Sequence, residues 1–180
     1  MRDTPYLGET ADIVLGQEFL TWLWFRSDTS PAFPAPDGGG EFTVSMEQRI
    51  VVQGGEGDAL ETASVSGVMS ELREARLGLA TGKKVARALV RFVRGSEAWQ
   101  MTLKAGDFSF GSLKTPDVER GDSRNEDQDA VFFEKIYLTE LCLEFFDAVY
   151  SAFLHIRFSP EWDEETRRVA AWIAREAQPA

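Results

Sequence analysis

Residues 83–114, KKVARALVRFVRGSEAWQMTLKAGDFSFGSLK, decide the reading of this chain. They contain three strand-like runs, Lys83–Arg94, Ala98–Lys104 and Phe108–Lys114, separated by Arg94-Gly95-Ser96 and Ala105-Gly106-Asp107. Apolar alternation broken by short glycine-bearing turns predicts antiparallel hairpins, so the segment reads as a meander. The next stretch, 115–128, is polar and acidic and reads as a loop. From Asp129 to Phe158 there is no Gly or Pro, and Phe132, Phe133, Ile136, Leu141, Phe145, Phe146, Val149, Phe153 and Leu154 follow helical spacing on a face wider than one stripe. Strands that neighbour one another in sequence, followed by one long helix, predict an α+β fold: an antiparallel sheet packed against a long C-terminal helix, with shorter flanking helices.

Working outward, Leu15, Phe19, Trp22 and Leu23 recur at helical spacing within 12–26. Residues 27–41, rich in Pro and Gly, predict a flexible loop, and residues 1–11 an N-terminal tail. Alternation over Phe42–Val52 and Glu61–Val68 predicts further strands. Ser70 reads as the N-cap of a short helix carrying Leu72, Ala75 and Leu79, with Gly82 as its C-terminal stop. After Pro160, residues Trp162, Val169, Trp172 and Ile173 mark a closing helix. The whole of 1–180 is expected to be one domain, since a chain of 180 residues falls within the usual size range.

Charge narrows the function classes. There are 19 Lys and Arg against 30 Asp and Glu, so the net charge is -11 and wholesale coating of a polyanion is disfavoured. The 43% apolar and 12% aromatic content is that of a folding chain. A lone cysteine, Cys142, excludes an intrachain disulfide and a thiolate zinc cluster. The lone histidine, His155, would face Cys142 across about 20 Å of helix, which removes a Cys–His dyad. The N-terminus lacks the charged-then-apolar order of a signal peptide, and charges break every apolar run short of the ~18 residues a span needs. A cytoplasmic protein with no membrane partner is expected.

Several motifs look chemical at first sight. Gly78-Leu79-Ala80-Thr81-Gly82-Lys83-Lys84 is reminiscent of a phosphate loop, but its spacer is three residues, Lys84 replaces the required hydroxyl, and it ends a helix rather than starting one. Pro116-Asp117 could open a magnesium nuclease motif, yet Glu134-Lys135 lacks the spacer and lies on a helix. Glu161, Asp163, Glu164 and Glu165 read as solvated charges at the positive end of a helix dipole, not as a metal site. No cofactor, metal or catalytic residue is expected. The remaining signal is the run Arg73–Lys104, which carries eight basic residues against Glu74 and Glu97, a local charge of about +6 inside an acidic chain. If Lys83–Arg94 is a strand, strict alternation puts Lys83, Arg87 and Arg91 on one face and Ala86, Ala88, Val90 and Phe92 on the other. Arginines four apart on one face are about 13 Å apart and can reach successive phosphates.

The stretch Glu71–Phe158 resembles the C-terminal half of the recombination-associated protein RdgC family. The resemblance lies in a helix ending in Gly82-Lys83, two strands, Leu113-Lys114, an acid-rich loop, Asp129-Ala130 followed by Phe132, and Thr139-Glu140-Leu141 on a long apolar helix. Leu15–Phe25, LGQEFLTWLWF, is similar to a signature of a divergent branch of that family. The resemblance implies a ring-shaped, nucleoid-associated homodimer that encloses duplex DNA without reading its sequence and restrains recombination; the family also carries an exonuclease label. Two departures stand out: a counterpart of the family's N-terminal portion is expected to be missing, and Ser64–Val68 is uncharged where family members tend to be basic.

The expected function is therefore non-enzymatic, sequence-independent binding of double-stranded DNA through Lys83, Lys84, Arg87, Arg91 and Arg94, by a homodimer joined through the 129–158 helix. Two alternatives stay open. One is a protein-interaction or dimerisation module, in which the basic residues pair with acids such as Asp122, Glu126 or Asp127. The other is a metal-dependent exonuclease.

Overall fold

The structure, a computed structural model, describes residues 13–54, 61–66, 69–118 and 126–176. The elements are α1 (Ile13–Thr29), β1 (Ala32–Pro34), β2 (Glu41–Gly54), β3 (Glu61–Ser66), α2 (Met69–Ala80), β4 (Lys84–Arg94), β5 (Glu97–Lys104), β6 (Phe110–Lys114), α3 (Glu126–Arg157) and α4 (Trp162–Glu176). The strands form one antiparallel sheet in the order β1-β2-β4-β5-β6, with β3 pairing with the far end of β2. The fold is α+β, as the meander and the long helix require.

The β4–β5 hairpin sets the register of everything beside it. Gly95, at φ 58°, provides the positive φ of a two-residue turn, which places Arg94 opposite Glu97. Counting back along the ladder, Phe92 then lies opposite Trp99, Val90 opposite Met101 and Ala88 opposite Leu103. All six are buried and face the helices. Phe42, Val44, Ile50 and Val52 of β2 extend that apolar face. Onto it pack Phe145, Val149 and Phe153 of α3 and Phe19, Trp22 and Leu23 of α1, with Trp172 of α4 closing the end against Trp24 and Phe25. Among the described residues, no helix packs on the opposite face of the sheet.

Glycine is required where helices approach backbone. A Cβ on Gly16 of α1 would lie 2.8 Å from the carbonyl carbon of Ala105 and closer still to its oxygen. Helix α2 ends as predicted: Gly82 takes φ 90°, its N–H donates to the Leu79 carbonyl, and the Lys83 N–H donates to the Gly78 carbonyl, the paired bonds of a Schellman cap.

Four sequence expectations change. Helix α2 begins at Met69, so Ser70 lies within the helix and is not its cap. The 27–41 stretch is not all loop: α1 runs to Thr29, and β1 pairs with β2 while burying Phe33 against Phe42. Its prolines misled because an edge strand tolerates a missing N–H. The 115–128 loop is shorter, since α3 begins at Glu126; residues 119–125 and the 1–11 tail lie outside the described residues. Finally, Phe108 is not in a strand. It sits at φ 51° with its ring against Phe19 and Tyr150, an unfavourable backbone conformation held by packing.

Candidate nucleic-acid interface

The five basic residues singled out in the sequence go to three places. Strict alternation fails at Ala86, where the pairing with β2 shifts between Val51 and Val52, so that Val85 and Ala88 are both buried. Below this bulge, Lys83 and Lys84 turn towards the helices. The stem of Lys83 lies beside Gly54 and Gly78, and the Lys84 ammonium is 3.8 Å from Glu18 of α1. Above it, Arg87 and Arg91 point from the uncovered face of the sheet. Arg94, at the far end of β4, is committed to the structure. It donates to Asp37 at 2.7 Å and Glu97 at 3.3 Å, and its guanidinium sits over the Trp99 and Phe145 rings. Burial disfavours its charge, but the bonds to Glu97, Asp37 and Tyr137 outweigh that and raise its pKa. Asp37 is held below the usual carboxylate range, first by the Gly39 N–H and then, against some desolvation, by Arg94.

The uncovered face gains two cations that the sequence reading did not single out. The hairpin register sets Lys104 directly opposite Arg87, and Gln100 of β5 lies between Arg91 on one side and Lys114 of β6 on the other. Directly opposed residues are about 5 Å apart at Cβ, so Arg87 with Lys104 and Arg91 with Lys114 form two short rows across three strands. Beside them stand Ser45, Gln100 and Thr102, which are polar and uncharged, and Leu89 lies between the two arginines, opposite Thr102. Carboxylates are present at the margin: Glu47 is 3.9 Å from Arg91, and Asp107 lies close enough to Lys104 to feel its charge. The two-residue turn at Gly95 was the signal that could have found Lys104. Lys114 depends on the irregularity at Ser112, φ 52°, which the sequence does not advertise.

The acidic partners proposed for an interaction module, Asp122, Glu126 and Asp127, have side chains outside the described residues. Among the described residues no group of three or more His, Cys, Asp or Glu is placed to hold a metal ion, and no helix is long and apolar enough to cross a membrane. Asp117, of the nuclease-like Pro116-Asp117 pair, is exposed. Glu165 departs from its expected role as a solvated helix-start charge. It is buried and accepts a 2.8 Å hydrogen bond from the Trp22 indole, because Trp162, Glu165, Val169 and Trp172 share the inward face of α4.

The long helix places its aromatic residues unevenly. Leu141, Phe145, Val149 and Phe153 are buried, whereas the first turns project with Phe132 60%, Phe133 66% and Tyr137 54% exposed. Leu138 is the first buried apolar side chain along α3.

No known family model, characterised protein or solved structure matches this chain.

Proposed function

We propose that this chain is a non-enzymatic protein that binds duplex DNA without regard to sequence through the uncovered face of its sheet, a role related to the control of recombination. The observation that carries this reading is the grouping of Arg87, Arg91, Lys104 and Lys114 on that face, with hydrogen-bonding Gln100, Thr102 and Ser45 among them. Guanidinium and ammonium groups with uncharged polar neighbours suit phosphate oxygens, and nothing about them distinguishes one base from another. The resemblance to the RdgC family points the same way. The set differs from the one expected from sequence: Lys83, Lys84 and Arg94 face elsewhere, and Lys104 and Lys114 take their place.

Binding of this kind draws its free energy from counterion release, so its salt dependence counts the contacts. Four phosphate contacts predict a log–log slope of about -3 to -4, and the net charge of -11 keeps the affinity low. Gel-shift titration of random-sequence duplexes at low salt, repeated as salt is raised, tests the reading. Absence of a shift at the lowest salt overturns it.

A second reading rests on α3. The projecting turns with Phe132, Phe133, Ile136 and Tyr137 present more apolar surface than an isolated helix end keeps in water, and a homodimer formed there would cover it. Sedimentation at micromolar protein should give twice the chain mass; a strictly monomeric result removes the homodimer.

A further inference from the structure

A cleft of about 270 Å³ opens between α1, the end of α2 and α4, on the helical side of the sheet and away from the face carrying Arg87 and Arg91. Its walls are mainly apolar, formed by Trp22, Leu79, Trp162, Val169 and Ile173. Such a composition, mainly apolar with a few polar groups, is typical of small-molecule sites.

The polar lining is net basic, with Lys83 and Lys84 against one carboxylate, Glu18. Thr21, 9% exposed, uses its hydroxyl oxygen to accept the Val85 N–H at 3.1 Å, and among the described residues this is its one hydrogen bond. A hydroxyl that accepts still has a proton to donate. The adjacent residue on β4, Lys84, contributes an ammonium whose one ion-pair contact among the described residues is Glu18, at 3.8 Å and beyond hydrogen-bond reach. Glu18 is otherwise engaged, accepting from Arg157 at 2.7 Å. The apolar cleft thus offers an O–H and an N–H donor beside a single carboxylate, Glu18, one of whose oxygens is bound by Arg157.

We propose that this cleft binds a small organic anion, a carboxylate on an aromatic or branched apolar body. Its carboxylate would accept from Thr21 and Lys84, and its body would lie against Trp22, Trp162 and Val169. Burial of the apolar body supplies most of the affinity, and the donors supply the preference for charge. The inference is independent of the DNA reading, which uses the opposite face of the sheet.

Calorimetric titration of the full chain with 1-naphthoate and with its neutral counterpart 1-naphthamide tests it. The naphthoate should bind saturably and about tenfold or more tighter than the amide, the advantage of an ion pair with Lys84 over the ammonium's bond to a neutral carbonyl. Lys84→Gln, at a half-exposed side chain, should erase that preference, so that anion and amide bind with similar affinity. Ala170→Trp, at an exposed position on the rim, should block both ligands and leave DNA binding unaffected. No binding, equal affinity for anion and amide, a preference that survives Lys84→Gln, or naphthoate binding that survives Ala170→Trp would each overturn the proposal.

Discussion

Replacing Glu165 by Ala should unfold this protein more readily than any charge loss at its surface. Glu165 is 6% exposed and its Oε1 accepts from the indole N–H of Trp22, itself 1% exposed, at 2.8 Å. Arg168 approaches the other oxygen only to 3.7 Å from an exposed position, so that contact contributes little. In the alanine variant the indole N–H is left in the core with no acceptor, which costs about 1–3 kcal/mol for the desolvated group, and α1 loses its polar tie to α4. Glu165→Gln keeps an acceptor oxygen in place and should cost less than about 1 kcal/mol, the difference between a charged and a neutral acceptor. Urea unfolding followed by far-UV circular dichroism separates the two variants by their midpoints. Trp22→Phe gives the internal control: with the donor gone, adding Glu165→Ala should cost less than it does in the wild type. Equal destabilisation by Ala and Gln, or strict additivity with Trp22→Phe, would refute the argument.

Three further outcomes are expected. Gly16→Ala should destabilise by about 1–3 kcal/mol or more, because its Cβ meets the Ala105 backbone and α1 must move off the sheet; an unchanged melting temperature contradicts that close approach. Cys142, buried and with its thiol pushed up to about 12 by desolvation, should resist a disulfide reagent at neutral pH until the chain unfolds, and rapid native labelling would show the site to be open. Arg87→Glu combined with Arg91→Glu should abolish the DNA shift at about 0.5 kcal/mol or less per site in stability, since both side chains stand off the core; a retained shift moves the contact elsewhere.

The sequence disclosed what depends on local spacing. The meander, the long helix and the closing helix follow from alternation, from thirty residues without Gly or Pro, and from Gly82 and Pro160 as stops. It concealed what depends on pairing. Phe33 is buried only because β1 finds the edge of β2, and Glu165 is buried only because α4 turns its Trp162 face inward onto Trp22. The basic site suffered most. Its composition was visible as a local excess of charge, but its membership was decided by a bulge at Ala86, a turn at Gly95 and an irregularity at Ser112.

That bulge gives the molecule its division of surfaces. An unbroken strand would have carried Lys83, Arg87 and Arg91 on one side as a single ridge. With one residue inserted, Lys83 comes to the helical side, where it and Lys84, whose ammonium reaches towards Glu18, edge an apolar cleft, while the two arginines stay on the uncovered side, where Lys104 and Lys114 join them. The same insertion lets Val85 and Ala88 both reach the core, so burial of those side chains holds the bulge in place rather than opposing it. Deleting Ala86 would leave Val85 and Ala88 two positions apart, so a regular strand would still turn both inward and keep Arg87 and Arg91 on the uncovered face. The separation of the two surfaces therefore follows from which side chains the core buries, Val85 below the bulge and Ala88, Val90 and Phe92 above it.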